Sequence, residues 1–266
     1  MAAARQLMGR ITKMLGGFAV IRVPYLLAQT LRTQYELHPF RWAAGVTSFV
    51  RAYRKYVAKG RNPDFTASLA DIYPCLRDGT ATTPIEPVYF YQDTWAAAIL
   101  FRLRPAHHYD VGSSVKTMAI LSQFVPTTMI DIRPPEVSLQ NFHFKAGSIL
   151  ALPLEDASID SLSSLCVVEH IGLGRYGDDL DPRGSEKAIA ELRRVLKPGG
   201  HLLISVPVDS SSRVYFNAHR AFTREHVLSL FQGMTLIEER YIYGAAVQND
   251  YDRAAGFGTG LFHFVK

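Results

Sequence analysis

From residue 107 to the end of the chain, short apolar runs alternate with helix-patterned runs, and that alternation admits few folds. "HHYDVGSS" reads as a strand and a glycine turn, followed by a helix through 115–124. "TTMIDI" and "NFHFKAGSI" read as the second and third strands, and "SIDSLSSLCVV" as the fourth. Residues 183–196 place Ala188, Ile189, Leu192, Val195 and Leu196 on one helical face. Lys197-Pro198-Gly199-Gly200 stops that helix, and "HLLISVPV" is a fifth strand. "TREHVLSLF" is a further helix with Thr223 at its N-cap. "MTLIEERYIY" and "GTGLFHFVK" are two late strands. Strands separated by helices call for a parallel sheet with right-handed crossovers. Two final strands without a helix between them call for an antiparallel finish, so the fold class is α/β.

The chain ahead of this pattern differs in charge. Residues 1–61 hold eleven Lys/Arg and one acid, Glu36, a balance of +10, whereas the rest carries −5. The basic part reads as helical, and "YFYQDTWAAAILFRL" (89–103) as a helix from about Asp93. Pro63, Pro74, Pro84 and Pro87 mark the irregular connection between them. The expected division is a basic, largely helical extension and linker over 1–88 and an α/β domain over 89–266. No nucleic-acid motif accompanies the charge, so nucleic acid is not the expected partner. Trp42, Val46, Phe49, Val50, Tyr53 and Val57 share a helical face, with Arg51, Arg54, Lys55 and Lys59 elsewhere on the turn. That pattern suits peripheral contact with an anionic membrane; the alternative is a helix docked on a protein body with its charges in water. The stretch "MLGGFAVIRVPYLL" is broken by Arg22 and Pro24 and falls short of the roughly 20 residues a membrane span needs. No small-residue cleavage site follows it, which argues against a signal peptide. Two cysteines, Cys75 and Cys166, cannot build a disulfide framework and point to a reducing, cytoplasmic setting. No HExxH or paired CxxC supports a metal site.

Candidate site residues cluster where parallel strands end. Asp110 closes the first strand, and Gly112 lets backbone approach a ligand at the first strand-to-helix turn. Asp131 ends the second strand twenty-one residues later, where an acid can accept hydrogen bonds from ribose hydroxyls, or simply cap a turn. Gly112 followed by Ser113-Ser114 is not GxGxxG, so a dinucleotide site has no support. Gly147-Ser148 ends the third strand. After the fourth come Glu169 and His170 and a polar loop, "GLGRYGDDLDPRGS", longer than a connection requires.

Residues 106–266 resemble the class I S-adenosylmethionine-dependent methyltransferases. The resemblance rests on "YDVGSS", Asp131 in "MIDIRP", "AGSILALPLEDASIDSL", "VVEHI" and "ELRRVLKPGGHLLISVP". The blocks "VVEHIGLGRYGDDLDPRGS" and "RVYFNAHRAF" are similar to a little-characterised bacterial subgroup associated with surface-polysaccharide biosynthesis. This implies a Rossmann-like, mostly parallel, seven-stranded sheet with the last strand antiparallel, and S-adenosylmethionine as cofactor. It also implies that Asp110, Gly112 and Ser113 hold the methionine part and Asp131 the ribose. Gly147, Ser148 and Ile149 would border the adenine, and Val168 would lie near the sulfonium. The family pattern is departed from at Ser114, where a second glycine is common and a side chain crowds the turn. It is departed from again at Ser148, where an acid is common and serine recognises the adenine amino group less well.

Oxygen methylation gains from a base, and His170, with an ordinary pKa of about 6.5, has a suitable place. Glu169 would orient it; the alternative is that the pair only shapes the strand end. Arg175, Tyr176, Asp178 and Asp181 on the loop, with Asn217, His219 and Arg220 beyond the fifth strand, could bind a polyhydroxylated acceptor or serve structure alone. Tyr91, Gln92 and Asp93 could close over the cofactor. The expected function is a cytoplasmic methyltransferase acting on oxygen of a sugar or glycan. The alternatives are a non-catalytic Rossmann-like binding module and a nucleotide-sugar or dinucleotide enzyme. The sequence leaves oligomeric state open.

Overall fold

The computed structural model describes residues 39–60, 62, 64–65, 75–76 and 78–266, with side chains from residue 44 onward. The expectations for residues 1–38, and for the side chain of Trp42, lie outside the described residues. The chain divides into two compact units, Met1–Pro84 and Ile85–Lys266.

In the first unit, α1 (Pro39–Ala58) is the principal described element. Val46, Phe49 and Tyr53 are half-buried, while Val50 and Val57 are exposed together with Arg51, Arg54, Lys55 and Lys59. Among the described residues, no helix is long and apolar enough to cross a membrane.

The second unit is built on one sheet. Its elements are α2 (Pro87–Leu103), β1 (His108–Val111), α3 (Val115–Leu121), β2 (Thr127–Asp131) and β3 (Phe142–Ala146). There follow β4 (Ile159–Leu165), a 3-10 turn (Val168–His170), α4 (Gly184–Val195) and β5 (Leu196–Val208). The chain ends with the hairpin β6 (Arg213–Tyr215) and β7 (His219–Ala221), then α5 (Arg224–Leu230), β8 (Thr235–Tyr243), β9 (Ala246–Gln248) and β10 (Gly258–Val265). Strand order is β3-β2-β1-β4-β5-β10-β8-β9. The five strands β1 to β5 are mutually parallel, and β10 runs antiparallel between β5 and β8. The sheet therefore has eight strands rather than the expected seven, because the chain after β8 turns back as the three-residue edge strand β9.

Side-chain alternation divides the core between the two faces of this sheet. Leu202, Ile204, Val206 and Val208 of β5 pack with Ala188, Ile189, Leu192 and Val195 of α4 and with Val227 of α5. Leu203 points the other way, into a cluster with Ala96, Ile99 and Leu100 of α2 and Met118 and Leu121 of α3. Helix α2 begins earlier than the expected Asp93. Glu86 caps it by accepting from Tyr89 N at 2.7 Å, and Pro87, which lacks an N–H to leave unpaired, opens its first turn. Its middle is tied to β8, where Trp95 Nε1 donates to Glu238 Oε1 at 2.7 Å. Thr223 caps α5 as its sequence suggests, accepting from His226 N. Lys197–Gly200 is not a bare helix stop, since β5 already begins at Leu196.

One consequence of the strand order positions the site. Successive strands run outward from β1 through β2 to β3, then the chain crosses back to lay β4 on the other side of β1. The loops leaving β1 and β4 diverge there and open a crevice at their carboxyl ends, the usual ligand position in such sheets.

Candidate functional site

The turn after β1 is fixed from beneath. Asp110 is fully buried, and its carboxylate accepts from Ser113 N at 3.0 Å, Ser113 Oγ at 2.6 Å and the Ser163 hydroxyl of β4. Ser113 Oγ in turn accepts from Leu165 N at 2.9 Å, which anchors the turn to β4. Burial pushes the Asp110 carboxyl up to about 6, and these hydrogen bonds limit the rise. Because Ser163 gives its proton to Asp110, it can only accept from His108 Nε2 at 2.9 Å. His108 Nδ1 is then the acceptor for Ser161 Oγ at 2.8 Å. Gly112 has φ +72, and a Cβ there would stand 2.9 Å from Val167 Cγ1, so only glycine fits.

A cavity of about 460 Å³ lies over this turn and the ends of β2 and β3. Gly112, Ser113, Asp131, Gly147, Ser148 and Ile149 are on its wall. Asp131 Oδ1 accepts from Arg133 N at 2.7 Å, which leaves Oδ2 open to a ligand. Ser148 Oγ accepts from Leu150 N at 3.2 Å and so shapes its own loop. Ser114 turns away from this cavity: it caps α3, accepting from Thr117 N, so it does not crowd the cleft as expected. Asp110 supports the cavity without lining it. Val168 does not line it either; its side chain is buried in the core, and the preceding Cys166 and Val167 form that wall. The Tyr176 ring closes one side, with Arg133 at 5.0 Å and Arg175 at 5.2 Å from its centre in cation–π contact.

A second cavity of about 880 Å³ shares Gly112, Ser113, Cys166, His170 and Tyr176 with the first. Helix α2 and its N-cap contribute Glu86, Tyr89 and Asp93, α3 contributes Lys116 and Thr117, and the β4 end contributes Glu169. Asp93 Oδ2 accepts from Thr117 Oγ1 at 2.6 Å. Gln92, by contrast, is fully buried and accepts from Cys166 Sγ at 3.1 Å, which removes it from any lid role. Tyr91 is likewise engaged, donating to Ala245 O at 3.1 Å. Glu169 is 1% exposed, its Oε2 has no hydrogen-bond partner, and burial pushes its carboxyl up to about 8. His170 Nδ1 must donate to the Ala218 carbonyl at 2.6 Å, which leaves Nε2 as a lone pair 3.7 Å from Glu169 Oε1. Burial pushes His170 down to about 4. The ordinary histidine pKa expected from the sequence is not what this position allows.

The polar loop is tied to itself. Gly172 has φ +80, and a Cβ there would meet the Asp181 carbonyl at 2.2 Å. Asp178 accepts from Gly172 N at 2.7 Å and from Tyr176 N at 3.2 Å, and Asp181 pairs with Lys187 at 2.7 Å. Arg220 is nearly buried and donates to the carbonyls of Ile171, Asp181 and Pro182 and to Ser185 Oγ. Asp181, Asn217, His219 and Arg220 line neither cavity, so their expected contact with an acceptor is not made by these walls. Asn217 forms the β6–β7 turn with φ 64, and His219 packs against Tyr215 and Phe257. Arg175 lines the second cavity, Asp178 the first, and Tyr176 both. Tyr89 and Lys116 were not legible as site residues, because only the packing of α2 and α3 brings them to the β4 end; Cys166 lies just past β4, but which way it faces there is not set by periodicity.

Residues 154–249 match the family described as "Caenorhabditis protein of unknown function, DUF268". An uncharacterized 37.1 kDa protein in transposon TN4556 of Streptomyces fradiae is 38% identical over 81 residues, 29% of this chain. The match spans about a fifth of that relative, 20% of its length. Among solved structures, a Galdieria sulphuraria protein named as a sarcosine dimethylglycine methyltransferase superposes with a TM-score of 0.51 at 19% identity. It covers 66% of this chain and 86% of its own. A Burkholderia thailandensis 1,6-didemethyltoxoflavin-N1-methyltransferase, solved with S-adenosylhomocysteine, gives 0.48 at 18% identity over 86% of this chain and 90% of its own. The fold is thus the mixed α/β, Rossmann-like fold of methyltransferases, with a mostly parallel central sheet.

Proposed function

We propose that the chain is an S-adenosylmethionine-dependent methyltransferase that methylates oxygen of a sugar or glycan intermediate in surface-polysaccharide biosynthesis. The observation that carries this reading is the pair of cavities meeting at Gly112, Ser113, Cys166, His170 and Tyr176, one suited to a nucleoside cofactor and the other to an acceptor. The wall of the smaller cavity fits the cofactor chemically: a glycine turn with no room for a side chain, then an acid at the end of β2 with one free oxygen. Gly112 and Ser113 would hold the methionine part, Asp131 the ribose, and Gly147, Ser148 and Ile149 the adenine. The bound cofactor supplies a methyl group already activated by its positive sulfur. The chain's residues then have to exclude water, align the acceptor and manage one proton. His170, held by Ala218, positions the acceptor-facing edge rather than serving as a strong base at neutral pH. The sugar assignment rests on the sequence blocks around the loop and hairpin.

Calorimetry tests the reading. S-adenosylmethionine or S-adenosylhomocysteine binds and NAD does not. Asp131→Ala weakens that binding by about 1.5–3 kcal/mol through loss of charged hydrogen bonds to ribose. Undiminished affinity in the variant removes Asp131 from the site, and absence of binding to the wild type removes the reading.

We further propose that the basic first unit holds the enzyme peripherally at an anionic, inner membrane face, where a lipid-linked acceptor would be. The exposed Val50 and Val57 beside Arg51, Arg54, Lys55 and Lys59 support this. Co-sedimentation with anionic vesicles should fall when these four cations are neutralised, and also as salt rises. Vesicle binding indifferent to both would leave α1 a packing element.

A further inference from the structure

Glu169 combines two properties that seldom coexist. It is 1% exposed, yet Oε2 has no hydrogen-bond partner and the residue lies on the wall of the larger cavity. A buried polar atom left unpaired is destabilising, and native chains retain few such atoms without a use. The groups around it do not supply the missing partner. Cys166, beside it, gives its Sγ–H to Gln92 Oε1, and its interaction with the Glu169 carboxyl holds back the rise that burial causes without giving Oε2 a partner. His170 Nε2 has no proton while Nδ1 is committed to Ala218. On α2, the Glu86 carboxylate is spent on capping Tyr89 N, and the Tyr89 hydroxyl is pushed up by burial and by its neighbours Cys166, Glu86, Tyr176 and Glu169. Arg175, on the loop, is the one cation that acts on Glu169 to favour its ionised form, and it does not offset burial.

We propose that Glu169, rather than His170, takes the proton from the acceptor, and that the acceptor is an uncharged hydroxyl compound seated between Tyr89 and Tyr176. This deepens the methyltransferase reading and rests on it. The class of acceptor follows from the wall. Glu86 and Asp93 bring two negative charges, Lys116 and Arg175 two positive ones, and Glu169 is largely neutral at pH 7. Apart from Glu169 itself, these charges cancel and select neither an ammonium nor a carboxylate, and Tyr89 and Tyr176 place aromatic side chains on the same wall, a surface that suits the C–H groups of a sugar. The acceptor's O–H proton passes to Glu169 Oε2. The freed lone pair on oxygen forms the new C–O bond, and the C–S bond breaks with its pair left on sulfur, giving a neutral thioether.

The test uses the full chain with S-adenosylmethionine and a panel of methyl hexopyranosides. S-adenosylhomocysteine binding, by calorimetry, reports that each variant retains its cofactor site. Glu169→Gln keeps the shape and the cofactor affinity but loses turnover about 10²–10⁴-fold, the usual scale for a positioned proton acceptor. Glu169→Asp recovers part of it. Wild-type turnover rises with pH through about 8, because only the ionised carboxylate accepts a proton. A readout without turnover accompanies this. The infrared difference between wild type and Glu169→Gln shows a protonated carboxylic acid at pH 7 that disappears as pH passes about 8. Glu169→Gln with wild-type turnover and intact cofactor binding overturns the base assignment, as does a turnover that does not follow the Glu169 ionisation seen in the infrared. A wild type that binds cofactor yet methylates no hexopyranoside overturns the acceptor class. A wild type that binds no cofactor sinks the underlying reading, while the infrared result still decides the state of Glu169.

Discussion

Asp110 and Glu169 stand at the ends of neighbouring strands, both buried and neither paired with a cation, yet they are treated oppositely. Asp110 receives three hydrogen bonds from Ser113 and Ser163 and is held near 6. Glu169 has one oxygen with no partner and is driven to about 8. The difference is in what surrounds them. The β1 end is filled by a serine–histidine chain, Ser161–His108–Ser163, that continues beneath the sheet end. The β4 end opens on a cavity instead. A satisfied buried carboxylate belongs to the architecture, and an unsatisfied one facing a cavity is available to a ligand.

That contrast is broken most directly by removing the satisfied member. Asp110→Ala deprives Ser113 N, Ser113 Oγ and Ser163 Oγ of their acceptor together, and unpaired buried donors cost about 1–3 kcal/mol each. The hydroxyls can turn toward other acceptors, so a net loss of about 3 kcal/mol is expected in urea unfolding. The midpoint should move with little change in slope. A loss below about 0.5 kcal/mol, the range of an ordinary surface substitution, would mean that the network under β1 is not what fixes the turn.

The two ends also differ in how much of them could be read from sequence. The β1 turn was legible because its cause is local: Asp110, Gly112 and Ser113 lie within four residues, and Gly112 is the residue type that takes the positive φ of the turn without strain. The α/β alternation and the Thr223 cap were legible for the same reason. The β4 end was not. Whether Val167 or Val168 faces the crevice depends on how the 3-10 turn rolls after β4, and periodicity does not carry across such a turn. The role of Arg220 as a clamp on Ile171, Asp181 and Pro182 depends on contacts across some forty residues of chain. The larger cavity is tertiary in origin, since α2 precedes β1 in sequence yet supplies Glu86, Tyr89 and Asp93 to its wall. Polar composition marked the loop as a rim, but most of its polar groups hold the loop itself together.

The unsatisfied member gives a smaller effect of the opposite sign. The folded-state pKa of Glu169 lies at about 8, above its ordinary 4.5, so the folded protein binds a proton more readily than the unfolded chain does. Stability from this group is therefore fully present below pH 4.5 and is lost as pH rises through 8. Glutamine has the same shape and no such titration. Glu169→Gln should match the wild type near pH 4 and exceed it at pH 7, by about 1 kcal/mol, within the range found for single stabilising substitutions. The shift alone would give more, but the glutamine NH₂ is itself buried, with His170 Nε2 as the lone pair nearest to it. The measurement is paired urea unfolding at pH 4, 7 and 9. A variant less stable than wild type at every pH would show that Oε2 is satisfied in solution, and the distinction between the two strand ends would fall with it.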